Sequence, residues 1–167
     1  MNSGKLFERD FKDSIPKELF FYRLRDGTAS FGGSSDNVRF QASNICDCVL
    51  FDNRTQNRKL LLLELKSHKG KSIPLSCIRP NQMIELAKAN MCKGVYPGII
   101  FNFRDAAETY FVMIDEIASF TALTERKSIP INWIREKGIH IPQQLKKVRY
   151  RYDIETFLER LESVHRE

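Results

Sequence analysis

Polar and apolar positions recur with two periods along the chain, and the switches between them divide it into elements. Over 4–13, Leu6, Phe7 and Phe11 fall at helical spacing among charges and Ile15-Pro16 closes the run, predicting an amphipathic helix that carries Glu8. An aromatic-rich strand is predicted over 19–25, followed by a flexible Gly/Ser-rich loop at about 26–38. Strands over 45–52 and 59–67, joined by a polar turn at 53–57, read as an antiparallel hairpin. The second of these barely alternates across Leu60 to Leu63, which predicts burial on both faces. A helix over 78–92 follows, with Met83, Leu86, Ala87 and Met91 near one face and Gly94 as its stop. Two apolar strands over 96–103 and 109–114 come next, then helices from Asp115 to about Leu123, over 132–137, and from Asp153 to about Val164. Helix, three strands, helix, two strands and mixed elements predict a single α/β domain with a mixed central sheet flanked by helices.

Composition narrows the class. The chain has 167 residues, 42% of them hydrophobic, enough for one compact core. Its longest apolar run is far short of the ~18 residues a membrane span needs, and no signal-peptide core opens it, so a cytoplasmic protein is expected. The four cysteines, Cys46, Cys48, Cys77 and Cys92, lack zinc-type spacing and are expected to be reduced, mostly buried thiols. Cys46 and Cys48, flanking Asp47 on a predicted strand, are expected to share the face opposite the aspartate.

The net charge of +6 is unevenly spread: residues 54–71 carry +5 and 126–151 carry +7, while the other segments are acidic. Arg58, Lys59, Lys69 and Lys71 in the first block, and Lys146, Lys147, Arg149 and Arg151 in the second, are candidate phosphate contacts, as is Arg39, which precedes both blocks. Basic and aromatic residues interleave in Lys146-Lys147-Val148-Arg149-Tyr150-Arg151, as nucleic-acid surfaces often do.

One constellation carries chemistry. Asp47 lies in the apolar run 45–51, where a carboxylate must be paired, hydrogen-bonded or bound to a cation. Glu64 and Lys66 share a face of the next strand, and a hairpin can bring all three together. Phosphodiester hydrolysis needs hard oxygen ligands for Mg²⁺ and a cation near the attacking water. Asp47 and Glu64 can supply the ligands, the Leu65 carbonyl a backbone one and Glu8 a third carboxylate. Lys66 can orient water or stabilise developing charge, and Gln82 can hold water or a ligand in place. Singly, each has a plain structural reading: a surface charge pair, a turn aspartate, an outer helix residue. The conjunction points to a nuclease. No Walker-type loop or serine-nucleophile context is present, and His68, His140 and His165 lie in separate segments without metal-ligand spacing.

The segments Asn44-Ile45-Cys46-Asp47, Leu63-Glu64-Leu65-Lys66-Ser67, Ser72-Ile73-Pro74-Leu75 with Gln82, Glu108-Thr109-Tyr110, Arg126-Lys127-Ser128-Ile129-Pro130 and Gly138-Ile139-His140-Ile141-Pro142 together resemble the RecU family of Holliday-junction resolvases. These belong to the PD-(D/E)xK, restriction-endonuclease-like superfamily. The resemblance implies a restriction-endonuclease-like core and a Mg²⁺-dependent homodimer, with Mn²⁺ as a substitute, that nicks two strands of a four-way DNA junction during recombination. It also implies a recombination helicase or recombinase as a partner. By position, Asp47, Glu64 and Lys66 match the family's catalytic trio and Gln82 its helix glutamine, while Glu8 resembles an amino-terminal acidic position. Where the resolvases carry a basic stalk, this chain has a short stretch at 25–40 with only Arg25 and Arg39 as cations. That departure fits a truncated phage-type or mobile-element relative. A general nuclease of the same fold, or a non-catalytic DNA-binding recombination protein, are the alternatives.

Overall fold

The computed structural model describes residues 3–24 and 44–164. The predicted loop at 26–38, with Arg39, lies outside them. In chain order the elements are α1 (Ser3–Lys12), β1 (Phe20–Arg23), β2 (Cys48–Asp52), β3 (Lys59–His68), β4 (Ser72–Pro74), α2 (Pro80–Ala89), β5 (Val95–Phe103), β6 (Glu108–Met113), α3 (Ile114–Leu123), β7 (Ser128–Pro130), α4 (Ile131–Lys137), β8 (Ile139–His140), β9 (Gln143–Lys146), β10 (Arg149–Tyr152) and α5 (Ile154–Val164). A six-stranded sheet runs β1-β2-β3-β5-β6-β8. Among the described residues only the β3–β5 pair is parallel, its crossover supplied by α2.

Period-two alternation on β3 divides the core. Leu61, Leu63 and Leu65 face α1 and α5, packing with Phe7, Phe11, Phe157 and Leu161. Leu60 and Leu62 face the other way, toward the layer of Leu86, Ile99, Ile117 and Ile134 from α2, β5, α3 and α4. Each such leucine stabilises the fold by about 1.5–3 kcal/mol on burial. The strand is buried on both faces as its missing alternation predicted, and Glu64 and Lys66 continue the Leu62 face toward α2. The two outer helices follow their sequence pattern: Phe7, Asp10 and Phe11 are buried on α1, and Ile154, Phe157, Leu158 and Leu161 on α5. Asp153 caps α5, its Oδ1 accepting the Thr156 N–H at 3.0 Å.

Several expected boundaries move. The strand predicted over 45–52 begins only at Cys48, because residues 45–47 form a bend. Cys46 and Cys48 therefore do not share a face: Cys46 packs in the α2 layer and Cys48 in the α1 layer. Those two thiols are buried, but Cys77 and Cys92 are exposed, against the expectation of mostly buried cysteines. The helix predicted over 78–92 starts at Pro80, pre-set for a first helical position, and ends at Ala89, so Met91 leaves its face and is 88% exposed. Gly94, at φ +82°, then turns the chain into β5. Asp115 lies inside the first turn of α3, one residue past the start, and Met113 takes the cap position without a side-chain bond.

Two small sheets were not foreseen. The tripeptides Ser72-Ile73-Pro74 and Ser128-Ile129-Pro130 pair antiparallel as β4 and β7, with Ile73 against Ile129, both buried. This clamp fixes the approach to α2. The β9–β10 hairpin stands against α1, where buried Asp10 accepts from Arg149 Nε and from the Tyr150 N–H at 3.1 Å.

The β5–β6 contact is tightest at Gly98, where an added Cβ would lie 2.4 Å from the Val112 carbonyl oxygen and 2.5 Å from the Phe111 ring. Gly98→Ala is expected to destabilise the fold by about 2 kcal/mol, because backbone cannot retreat as a flexible side chain would. Urea denaturation checks this, and an unchanged midpoint would contradict it.

Candidate active site

The site lies where β2 ends and β3 runs on. The Asp47 N–H donates to the Leu63 carbonyl at 3.0 Å, the last backbone bond before the chain bends away. Its side chain continues the ladder, Oδ2 accepting the Leu65 N–H at 2.7 Å. In an extended strand a residue's N–H and C=O point to the same edge, so the Leu65 carbonyl also faces the Asp47 side. The bend that truncates β2 is thus what frees an aspartate to sit beside β3.

Glu64 is 2% exposed. Its Oε1 meets Lys66 Nζ at 2.6 Å, the i,i+2 pair that the strand period predicts. Its Oε2 is buried and has no hydrogen-bond partner. Burial and then the Asp47 charge push the Glu64 carboxyl above its usual range, against the opposing pull of Lys66 and Gln82. Gln82 is the third residue of α2, buried, with Oε1 accepting the Arg79 N–H at 3.3 Å, an arrangement that fixes its carboxamide beside Glu64. Cys46 belongs to the same neighbourhood: burial, then Glu64 and Asp47, push its thiol up to about 12. A buried carboxylate oxygen with no donor, next to a second carboxylate, fits a hard divalent cation.

The structure thus brings Asp47, Glu64, the Leu65 backbone, Lys66 and Gln82 together. Glu8, on α1, pairs with Arg23 of β1 at 2.5 Å, and its charge acts on Cys48 together with those of Asp47 and Glu64. Among the described residues no group of three or more His, Cys, Asp or Glu side chains is close enough to hold a metal ion. Glu8, the expected third carboxylate, is thus engaged by a cation from β1, as Glu64 is by Lys66.

The basic blocks also sort by geometry. Lys59 is corrected as a phosphate contact: it is buried and pairs with Glu162 of α5 at 3.3 Å. Arg149 is likewise engaged, by Asp10 and by Asp13 at 3.1 Å. Arg58, Lys69, Lys71, Lys146 and Lys147 are exposed, and Arg151 is half-buried.

A polar row that sequence reasoning missed crosses the opposite face of the sheet. Ser67 Oγ donates to Asn102 Oδ1 at 2.9 Å, Asn102 Nδ2 to Thr109 Oγ1 at 2.9 Å, and Thr109 Oγ1 to Gln143 Oε1 at 2.5 Å. It ties the end of β3, one residue past Lys66, to the base of the β9–β10 hairpin. Asn102 within the apolar run of β5 was the available signal. Glu108 and Tyr110 serve the far edge: Glu108 accepts from the Tyr110 hydroxyl at 2.8 Å and takes Arg135 in a two-pronged pair.

The family model described as Recombination protein U, RecU, matches residues 55–155. The chain belongs to the RecU family. A Bacillus subtilis (strain 168) protein described as the SPbeta prophage-derived uncharacterized protein YotM is similar as well, 33% identical over 90% of this chain and 82% of that protein. The RecU match takes in Glu64, Lys66 and Gln82, while Asp47 and Glu8 precede it. Both SIP tripeptides of the clamp, the Glu108 cluster and β9–β10 also fall within this RecU region. No helix among the described residues is long and apolar enough to cross a membrane.

Because Glu64 binds its proton more tightly in the folded than in the unfolded chain, ionising it costs stability. Metal-free stability is therefore expected to fall as pH rises from about 4.5, the ordinary value, through the raised folded value, and to stay lost above it. At neutral pH, Glu64→Gln should raise the melting temperature of the metal-free protein by roughly 2–4 °C, for a gain of about 1 kcal/mol. Millimolar Mg²⁺ should raise that of the wild type but not of the variant. Equal responses to Mg²⁺ in thermal melts would contradict the site.

Proposed function

We propose that this chain is a metal-dependent endodeoxyribonuclease that resolves four-way junctions during recombination. The observation that carries the reading is the buried Glu64 Oε2, without a donor, beside Asp47 and Lys66 in a RecU-family chain. Asp47, Glu64 and the Leu65 carbonyl would hold Mg²⁺, or Mn²⁺ in its place. When bound, the ion supplies Lewis-acid polarisation of a phosphoryl oxygen and a more acidic water.

The protein's own groups do the rest. Lys66 now holds the Glu64 carboxylate that would take the ion, and with that carboxylate engaged its ammonium would face the attacking water or the charge developing on phosphorus. Gln82, held through its Oε1, keeps the Glu64 carboxyl from rotating away. Water adds to phosphorus, the bond to the leaving sugar oxygen breaks, and that oxygen leaves protonated. Arg58, Lys69, Lys71, Lys146, Lys147 and Arg151 supply the phosphate grip, Lys69 and Lys71 from the loop that directly follows β3. Paired cuts on a two-fold junction call for a homodimer, one site per strand, with a recombination helicase or recombinase delivering the junction in the cytoplasm. The short stretch at 25–40, with two cations, favours as a second reading a nuclease that also accepts linear duplex.

A gel assay on an end-labelled immobile junction and its linear arms separates these. Paired nicks confined to the junction, abolished by EDTA and reduced ~10²–10⁴-fold by Lys66→Ala, are expected. Cutting of every substrate at equal rate supports the second reading, and unchanged cleavage by Lys66→Ala, in protein free of other nucleases, would overturn both.

A further inference from the structure

The β9–β10 hairpin has a firm base and an uncomfortable tip. Next to the turn, Asp10 and Asp13 of the α1 end hold Arg149, while at the base the Tyr152 N–H donates to Ser14 Oγ at 3.0 Å and the Tyr152 ring packs edge-on against Phe7 at 5.6 Å. The Asp153 N–H closes it, donating to the Pro142 carbonyl at 2.8 Å. Lys146 pairs with Arg149, which leaves Lys147 and Val148 as a two-residue turn. Lys147 has φ +59°, a conformation that glycine or asparagine takes more readily. Val148 is 82% and Leu145 56% exposed. Cross-strand register puts Gln144, Lys146, Arg149 and Arg151 on one face of the ribbon and Leu145 with Tyr150 on the other.

An exposed valine at a turn that also presents Lys146 and Lys147 calls for a partner that is anionic outside and apolar within. A second copy of the chain is disfavoured, because two such tips meeting would set Lys146 and Lys147 against their counterparts. DNA has the required layering: phosphates flank each groove and base edges lie at its floor. Because Asp10 and Asp13 hold Arg149 beside the turn, the part left to meet DNA is the Lys147-Val148 turn itself, with Val148 82% exposed. We propose that the turn of this hairpin is a DNA-contacting wedge, with Lys146, Lys147 and Arg151 on phosphates and Val148 set against an unstacked base step at the branch point. The inference rests on the reading that the chain acts on branched DNA. Apolar wedges unstack steps that are already weakened, and a branch point is the weakest step a junction offers. The polar row ending at Gln143 links the base of this ribbon to the strand that carries Lys66.

The test uses an immobile junction with 2-aminopurine at the branch, in EDTA so that no cleavage enters, and a linear duplex as reference. Wild type should raise the emission several-fold on the junction only. Val148→Ser should lose most of that rise and bind the junction about tenfold more weakly with an unchanged salt slope, as expected for a residue that touches no phosphate. Lys147→Ala should keep the rise at saturation and lower the salt slope by about one. No rise with wild type, or equal emission and affinity for Val148→Ser, overturns the wedge. Sedimentation showing that Val148→Ser splits a wild-type dimer also overturns it, since the tip would then be a contact between copies. The nuclease reading stands or falls separately on cleavage in Mg²⁺, which these binding measurements do not involve.

Discussion

Glu64 is held in a place where a carboxylate should not be charged, and the organisation of the site follows from that conflict. It sits in the central strand, 2% exposed, with one oxygen on Lys66 and the other with no donor. Asp47 adds a second negative charge on the neighbouring edge. Burial and like charge both raise the cost of ionisation, and one lysine offsets only part of it. Such an arrangement persists when something outside the chain completes it. In the function proposed above, a divalent cation would relieve both carboxylates at once and release Lys66.

The surrounding fold keeps this conflict from relaxing. The parallel β3–β5 pair holds Glu64 in register with Ile99 inside the sheet, so the carboxylate cannot swing to solvent. Asp47 is pinned by bonds to Leu63 and Leu65. Gln82 is placed by the start of α2, which the pairing of Ile73 with Ile129 anchors to the far layer of helices. The two SIP tripeptides thus act at a distance, by fixing where a helix begins. On the other face, the row from Ser67 to Gln143 does the same for the end of β3 and the hairpin.

The fold class and the proximity of Asp47, Glu64 and Lys66 were legible in the sequence for one reason: strand periodicity constrains faces strongly. Leu60 to Leu63 announced a doubly buried strand, and Glu64 and Lys66, two apart, had to share a face once it was one. Position across elements was less legible. Glu8 has the right residue type on the right helix, but its partner is Arg23, a cation from a strand that local pattern does not connect to it. Lys59 looked like a surface cation because nothing local shows that Glu162, 103 positions later, folds over it. Cys46 and Cys48 were assigned to one face because an apolar run hides a bend, and the bend exists to deliver Asp47. The small sheets escaped because three- and four-residue strands carry too few positions for a period to show.

Mn²⁺ binding, read by electron paramagnetic resonance on the intact protein without DNA, tests the central claim most directly. Wild type should remove free Mn²⁺ from solution in competition with Mg²⁺, and Asp47→Asn and Glu64→Gln should each abolish that uptake while Glu8→Gln leaves it intact. Equal uptake by wild type and Glu64→Gln, or loss of uptake in Glu8→Gln alone, would show that the ion is held elsewhere and that the buried carboxylate has another purpose.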